Sequence, residues 1–141
     1  MRRRGSQPEF VLTERPGLED INISQKDVRE LQLAKAAIRL GIQALLEAEG
    51  LAESDIQQVF IAGAFGTFID IQSAITIGML PRLPLERSRQ VGNAAGTGAR
   101  LALISRVERA RARQISRNVG YIELANLTGF QRKFAASTYL D

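Results

Sequence analysis

Two glycine-rich segments carry the clearest chemical potential in this 141-residue sequence. The first, Gly63-Ala64-Phe65-Gly66, follows the short apolar run Gln58-Val59-Phe60-Ile61-Ala62, which reads as a buried strand. Glycines at the carboxyl end of such a strand let a ligand approach the backbone and permit positive φ. The same four residues also suit a tight turn with no ligand. A KH-type GxxG clamp on nucleic acid joins two helices, whereas this segment follows a strand. The second segment, Gly92-Asn93-Ala94-Ala95-Gly96-Thr97-Gly98, fits neither the dinucleotide G-x-G-x-x-G nor the P-loop pattern. Leading into Ala99 and Ala102, it reads as a helix N-terminus. Its amides could face an anion, or its small residues could serve only close helix packing.

Two further patterns are polar. Arg29, Gln32 and Lys35 step by three along one helix edge, either lining a cleft or facing water. Arg106, Arg109, Arg113 and Arg117 share a helix face, as a patch for phosphate or an acidic partner or as a solvated surface paired with Glu108. No aromatic residue interleaves with these arginines, which argues against base stacking. The sequence has no Cys and no His. It therefore cannot supply the usual ligands of an iron–sulfur cluster, a zinc site or a haem, nor a Ser-His-Asp or Cys-His mechanism. Asp20, Asp27, Asp55 and Asp70 each have a capping or turn explanation, so no acid/base pair of carboxylates stands out.

The elements that must position these residues follow from pattern. Residues 1–8 read as a disordered lead-in, and residues 9–141 as a single α/β subdomain. Net charge is +4; without Arg2, Arg3 and Arg4 it falls to +1, so the high pI is weak support for nucleic-acid binding. Phe10-Val11-Leu12 and Ile21-Asn22-Ile23, about the turn at Pro16-Gly17, predict a small hairpin. Ser24 as N-cap, with Asp27 three residues on, starts a long helix that stops at Gly50. Val28, Leu31, Ile38, Ile42 and Leu45, with Leu33, Ala37, Leu40 and Ala44, predict its buried face, and Lys35, Arg39, Gln43 and Glu47 its wet side. Asp70 is expected to cap a short helix through Ile77. Arg87–Val91 is expected as a strand, and a helical pattern from Arg100 should break near Ser105 and run to about Asn118. Tyr121-Ile122-Glu123-Leu124 reads as a last strand, with Asn126 or Thr128 capping a final helix through Tyr139. Alternating strands and helices give the α/β class. No run of apolar residues is long enough to span a membrane, and no secretory signal is evident, which makes a cytoplasmic location the default.

Several blocks resemble a known family: residues 23–38, beginning Ile23-Ser24-Gln25-Lys26-Asp27; Ile61–Gly66 continuing to Pro81; Val91–Arg100; and Tyr121–Leu124 with Phe130, Gln131 and Phe134. In this order they resemble the C-terminal portion of the reductive activators of corrinoid proteins. The resemblance implies a partial ribonuclease-H-like, actin-like ATPase subdomain of the acetate and sugar kinase, chaperone and actin superfamily. It implies ATP or ADP with Mg²⁺ as cofactor, an iron–sulfur cluster only in a separate N-terminal domain, and a role in returning Co(II) corrinoid to Co(I). Partners so implied are a corrinoid protein or corrinoid-dependent methyltransferase system and the rest of the ATPase domain. Gly63, Ala64, Phe65 and Gly66 would lie against the nucleoside, Gln32 and Lys35 toward adenine or ribose, and Gly96, Thr97, Gly98 and Ala99 against the partner subdomain.

The departures are equally specific. No D-x-G-x-[TS] phosphate loop and no acidic group placed for Mg²⁺ occur, and phosphoryl transfer needs these parts assembled together. The chain alone is therefore expected to be inactive as an ATPase and, with an apolar face uncovered, to self-associate. The alternative is a protein-interaction module that docks a corrinoid protein or pairs protomers through the Arg106–Arg117 face, the glycine segments being structural.

Overall fold

The computed structural model describes residues 2–4, 7–63 and 65–140. The hairpin forms as its alternation predicts: β2 (Gln7–Thr13) pairs antiparallel with β3 (Ile21–Ser24), Phe10 opposite Ile23 and Val11 opposite Asn22. Residues 2–4 and 7–8, within the segment expected as a lead-in, lie in strands. β1 (Arg2–Arg4) pairs antiparallel with β2, extending the sheet to three strands in the order β1-β2-β3.

Ser24 ends β3 and caps α1 (Gln25–Glu49). Its hydroxyl accepts from the Asp27 amide at 3.3 Å while its own amide donates to Asp27 Oδ2 at 2.8 Å, a reciprocal capping box. Gly50 terminates the helix with φ +66°. The Gly50 and Leu51 amides reach back to the Glu47 and Leu46 carbonyls, a Schellman arrangement.

The buried face of α1 keeps Leu40 and Ala44 of the predicted apolar set but is turned toward the row expected to be wet. Lys35, Ala36, Leu40 and Ala44 are buried, whereas Leu31, Leu33 and Leu45 are exposed. The reason lies far along the chain: α6 (Phe130–Ser137) packs against the side carrying Lys35, Arg39, Gln43 and Glu47. The Lys35 ammonium donates to the Tyr139 carbonyl, and Lys133 pairs with Glu47 at 2.7 Å.

A second, parallel sheet joins β4 (Val59–Ala62) to β5 (Ser88–Gly92), with α2 (Phe65–Phe68) and α3 (Ile71–Thr76) in the crossover. Asp70 caps α3 as its position predicts, accepting from the Ser73 amide at 2.7 Å. Ala74, Met79 and Leu80 form a small core with Ile38, Ile61 and Ile75 packed on it. α4 (Ala94–Ile104) and α5 (Arg106–Asn118) follow, divided at Ser105, which ends one helix and caps the other.

Tyr121–Leu124 is not a strand. Among the described residues no strand edge pairs with it: residues 121–123 are irregular and Leu124–Asn126 form a 3-10 turn. α6 is capped by Gly129 at φ +73°, not by the side chain of Asn126 or Thr128, and it ends at Ser137.

This mixed α/β chain exposes 10861 Å², against about 7200 Å² for a compact monomer of 15.5 kDa. Exposed aliphatic side chains contribute to the excess: Leu103, Ile104, Val107 and Val119 on α4, α5 and the residue after it are each more than two-thirds exposed. No helix is long and apolar enough to cross a membrane.

Candidate functional site

The two glycine-rich segments meet. Because β4 and β5 run parallel, both segments leave the sheet at the same, carboxyl edge. The Gly63 amide donates to the Gly92 carbonyl at 2.7 Å, tying one turn to the other. Both residues have positive φ, +76° and +58°. A Cβ on either would meet nothing within 4 Å, so the demand for glycine at these two positions comes from backbone conformation and not from crowding.

Gly66 is the opposite case. A Cβ there would stand 2.3 Å from the Ile61 carbonyl oxygen and 3.2 Å from the Gly92 amide nitrogen. Gly66 therefore lets α2 lie directly on the joined ends of β4 and β5. Ala64 lies outside the described residues, and Phe65 opens α2. Phe68, at the end of the same helix, is 86% exposed.

Gly96, Thr97, Gly98 and Ala99 occupy the first turns of α4 and are exposed. Asn93, which sequence reasoning left without a role, caps this helix: its Oδ1 accepts from the Gly96 amide at 2.9 Å. An Asn one residue before a helix is a recognisable N-cap signal. The Asn93 side chain also fills the space in which a Gly96 Cβ would sit, 2.6 Å from its Nδ2. At Gly98 a Cβ would meet nothing within 4 Å, so that position faces open space. Gln90 was likewise missed; its amide donates to the Ile69 carbonyl at 2.7 Å and holds the α2–α3 junction against β5.

Lys35 and Gln32 are not gathered at this edge. Lys35 lines a cleft of about 540 Å³ between α1 and α6, together with Arg39, Gln43, Glu47, Lys133 and Tyr139. Among the described residues that line it are none of Gly63, Gly66 or the Gly92–Ala99 segment. Gln32 is half-buried on α1 and Arg29 is exposed.

The arginine face of α5 is exposed. Arg109 turns back to bond the Ala102 and Leu103 carbonyls at 2.8 and 2.9 Å, closing the end of α4. Among the described residues Arg106, Arg113 and Arg117 have no ion-pair partner, and Glu108 is not engaged by them.

Hydrogen bonds from the Ser24 side chain and then its amide hold the Asp27 carboxyl below its ordinary value. The Ser73 side chain, then its amide, lowers Asp70 in the same way. Asp27 is the third-residue partner of the Ser24 capping box and Asp70 is the N-cap of α3. No group of three or more His, Cys, Asp or Glu able to hold a metal occurs among the described residues.

Comparison with known proteins follows the same outline. The chain matches, over residues 1–141, the family described as the C-terminal domain of RACo, the ASKHA domain. It is 45% identical over 125 residues to the corrinoid activation enzyme RamQ of Eubacterium limosum, covering 89% of this chain and 21% of that protein. Over 66 residues it is 33% identical to the [Co(II) methylated amine-specific corrinoid protein] reductase of Methanosarcina barkeri, covering 47% of this chain and 12% of that one. Among solved structures, a reductive activator for corrinoid, iron–sulfur protein superposes with a TM-score of 0.85 at 37% identity, over 98% of this chain and 23% of the other. The chain thus spans about a fifth of the length of the longer relatives it matches. With the family match over residues 1–141 and the superposition of the fold in agreement, the chain belongs to the family of the C-terminal ASKHA domain of RACo.

Proposed function

We propose that this chain is the nucleotide-binding C-terminal part of an ATP-dependent reductive activator, which returns Co(II) corrinoid proteins to Co(I). The observation that carries the reading is the hydrogen bond from Gly63 to Gly92, which sets two glycine turns side by side at the carboxyl edge of parallel strands. Open α/β sheets take their ligands at that edge.

The residues present fit the nucleoside half of a nucleotide. Gly63 leaves open space above the backbone, Gly66 admits no side chain, and Phe68 offers an exposed ring for stacking against a base. Ala64 and Phe65 are assigned to the same nucleoside contact; Gln32, on α1 and apart from this edge, is not. Gly96, Thr97, Gly98 and Ala99 form a smooth, exposed helix start against which a facing subdomain can close. The phosphates are not provided for: the sequence has no D-x-G-x-[TS] loop, and among the described residues no cluster of three or more acidic groups able to hold a metal occurs. Mg²⁺ and the phosphate clamp are therefore assigned to the facing subdomain of the longer protein, and the iron–sulfur cluster to its N-terminal domain, since this chain has no cysteine. When bound there, ATP supplies the free energy for low-potential electron transfer. This chain's part is to hold the nucleoside and couple it to subdomain closure. The exposed aliphatic surface also supports self-association. Sedimentation at micromolar concentration is expected to show a dimer or larger species, and a strictly monomeric profile would refute that part.

Calorimetric titration with ADP and Mg-ATP tests the nucleotide reading. Weak, comparable binding of both nucleotides is expected, because the contacts made here are to the nucleoside. Absence of heat with either nucleotide up to about millimolar concentration would remove the support for it. A second reading, a docking module for a corrinoid protein, is favoured by the unpaired arginines and exposed aliphatic residues of α5. Salt-sensitive capture of a corrinoid protein, lost on replacing Arg113 and Arg117 by Glu, would support that reading.

A further inference from the structure

Lys35 is the one charged side chain buried among the described residues, 3% exposed, and the function proposed above does not use it. Its Nζ donates to the Tyr139 carbonyl, the one hydrogen bond it makes among the described residues. An ammonium carries three N–H donors, so two remain to be satisfied at the wall of the α1–α6 cleft. No carboxylate of the described residues pairs with it. The two carboxylates that line the cleft are engaged elsewhere: Glu53 by Arg39 and Glu47 by Lys133. Against these two acids stand three cations, Lys35, Arg39 and Lys133, and the uncompensated one is the most deeply buried. Buried charges are ordinarily paired. The carbonyl end of α6 offers only a partial charge, about half an electron at most.

Exposure along the α1 row rises from 3% at Lys35 to 22% for the Arg39 side chain and 59% for that of Glu47. The cleft is therefore cationic at its deep end and closed by a salt bridge at its mouth, with Leu46, Leu51 and Ala136 as apolar wall.

We infer that the cleft between α1 and α6 binds a small organic monoanion, its carboxylate taken by the Lys35 ammonium and its apolar body lying on Leu46 and Leu51. Among the described residues one positive charge of the cleft is left uncovered, and a single charge selects a monoanion. A polyphosphate would set excess negative charge beside Glu47 and Glu53, so the site is distinct from the one assigned to the nucleotide. The inference does not rest on the nucleotide reading.

The test is a titration of the 141-residue chain with sodium butyrate, followed by the NMR signals of the lysine ε-methylene groups. Butyramide serves as the neutral isostere and sodium chloride as the ionic-strength control. Butyrate is expected to move the Lys35 signal saturably, with a dissociation constant of about millimolar order, while butyramide and chloride leave it in place. Leu51→Glu is expected to weaken that binding about tenfold or more by placing a like charge on the wall; because Leu51 is half exposed, this variant keeps the fold. Lys35→Met is expected to abolish butyrate binding by calorimetry. No saturable shift with butyrate, an equal response to butyramide or chloride, or unchanged binding in Leu51→Glu would each overturn the inference, leaving Lys35 as a strut for the end of α6.

Discussion

Substitution of Gly66 by Ala probes the geometry of the glycine edge most sharply. The added methyl carbon would stand 2.3 Å from the Ile61 oxygen, 3.0 Å from the Ile61 carbonyl carbon and 3.2 Å from the Gly92 nitrogen. All three atoms are backbone, so no flexible side chain can give way. Relief requires α2 to lift from the sheet or the ends of β4 and β5 to part, which loosens the Gly63–Gly92 hydrogen bond. Overpacking in a tight interior costs about 1–3 kcal/mol, and the rigid surroundings place Gly66→Ala near the upper end, about 3 kcal/mol. For a chain of this size that corresponds to a fall in Tm of about 10 °C. The control is Gly98→Ala: its Cβ meets nothing within 4 Å and its φ is not positive. Gly98→Ala is expected to raise stability by up to about 1 kcal/mol through helix propensity. Urea and thermal unfolding followed by circular dichroism compare the two variants. If Gly66→Ala unfolds within about 0.5 kcal/mol of the parent, the close approach of α2 to the sheet is refuted.

Three further outcomes follow from the caps and the helix junction. Ser24→Ala removes one side of the capping box and is expected to cost about 1 kcal/mol in urea unfolding, with early fraying of α1. The Asp27 and Asp70 carboxyls titrate below 3.8 in the folded chain. Their stabilisation is therefore complete above that value and is lost as pH falls through the lowered folded-state pKa; unfolding at a series of acidic pH values should show this slope, and Asp27→Asn with Asp70→Asn should flatten it. Arg109→Ala frees the Ala102 and Leu103 carbonyls, so amide exchange around Ser105 is expected to quicken while the amides of β4 and β5 keep their protection.

Local signals made much of this fold legible. Ser24 with Asp27, and Gly50 at the other end, mark the start and stop of α1 because caps act within a few residues. Turn chemistry and alternation found the hairpin, and Ser105 marked the α4–α5 junction. The glycine segments could be read as loops at a sheet edge, but their direct contact depends on the parallel pairing of β4 with β5, which no local pattern encodes. The row Lys35, Arg39, Gln43, Glu47 reads as solvated because it is polar. It is covered by α6, whose contact with Lys35 spans 104 residues. In the apolar row, Leu31 and Leu45 stand exposed, whereas Ile38 packs on the core of Ala74, Met79 and Leu80. Tyr121–Leu124 has strand composition but no pairing edge, and composition alone does not make a ladder.

Amide-resolved NMR of the chain titrated with ADP tests the central claim most directly. The expected result is a set of saturable shifts at Gly63, Gly66, Phe68 and Gly92, with the glycines of distant turns, Gly17 and Gly129, unmoved. Shifts confined to the α1–α6 cleft or to α5, or none at any ADP concentration, would contradict a nucleoside site at the glycine edge.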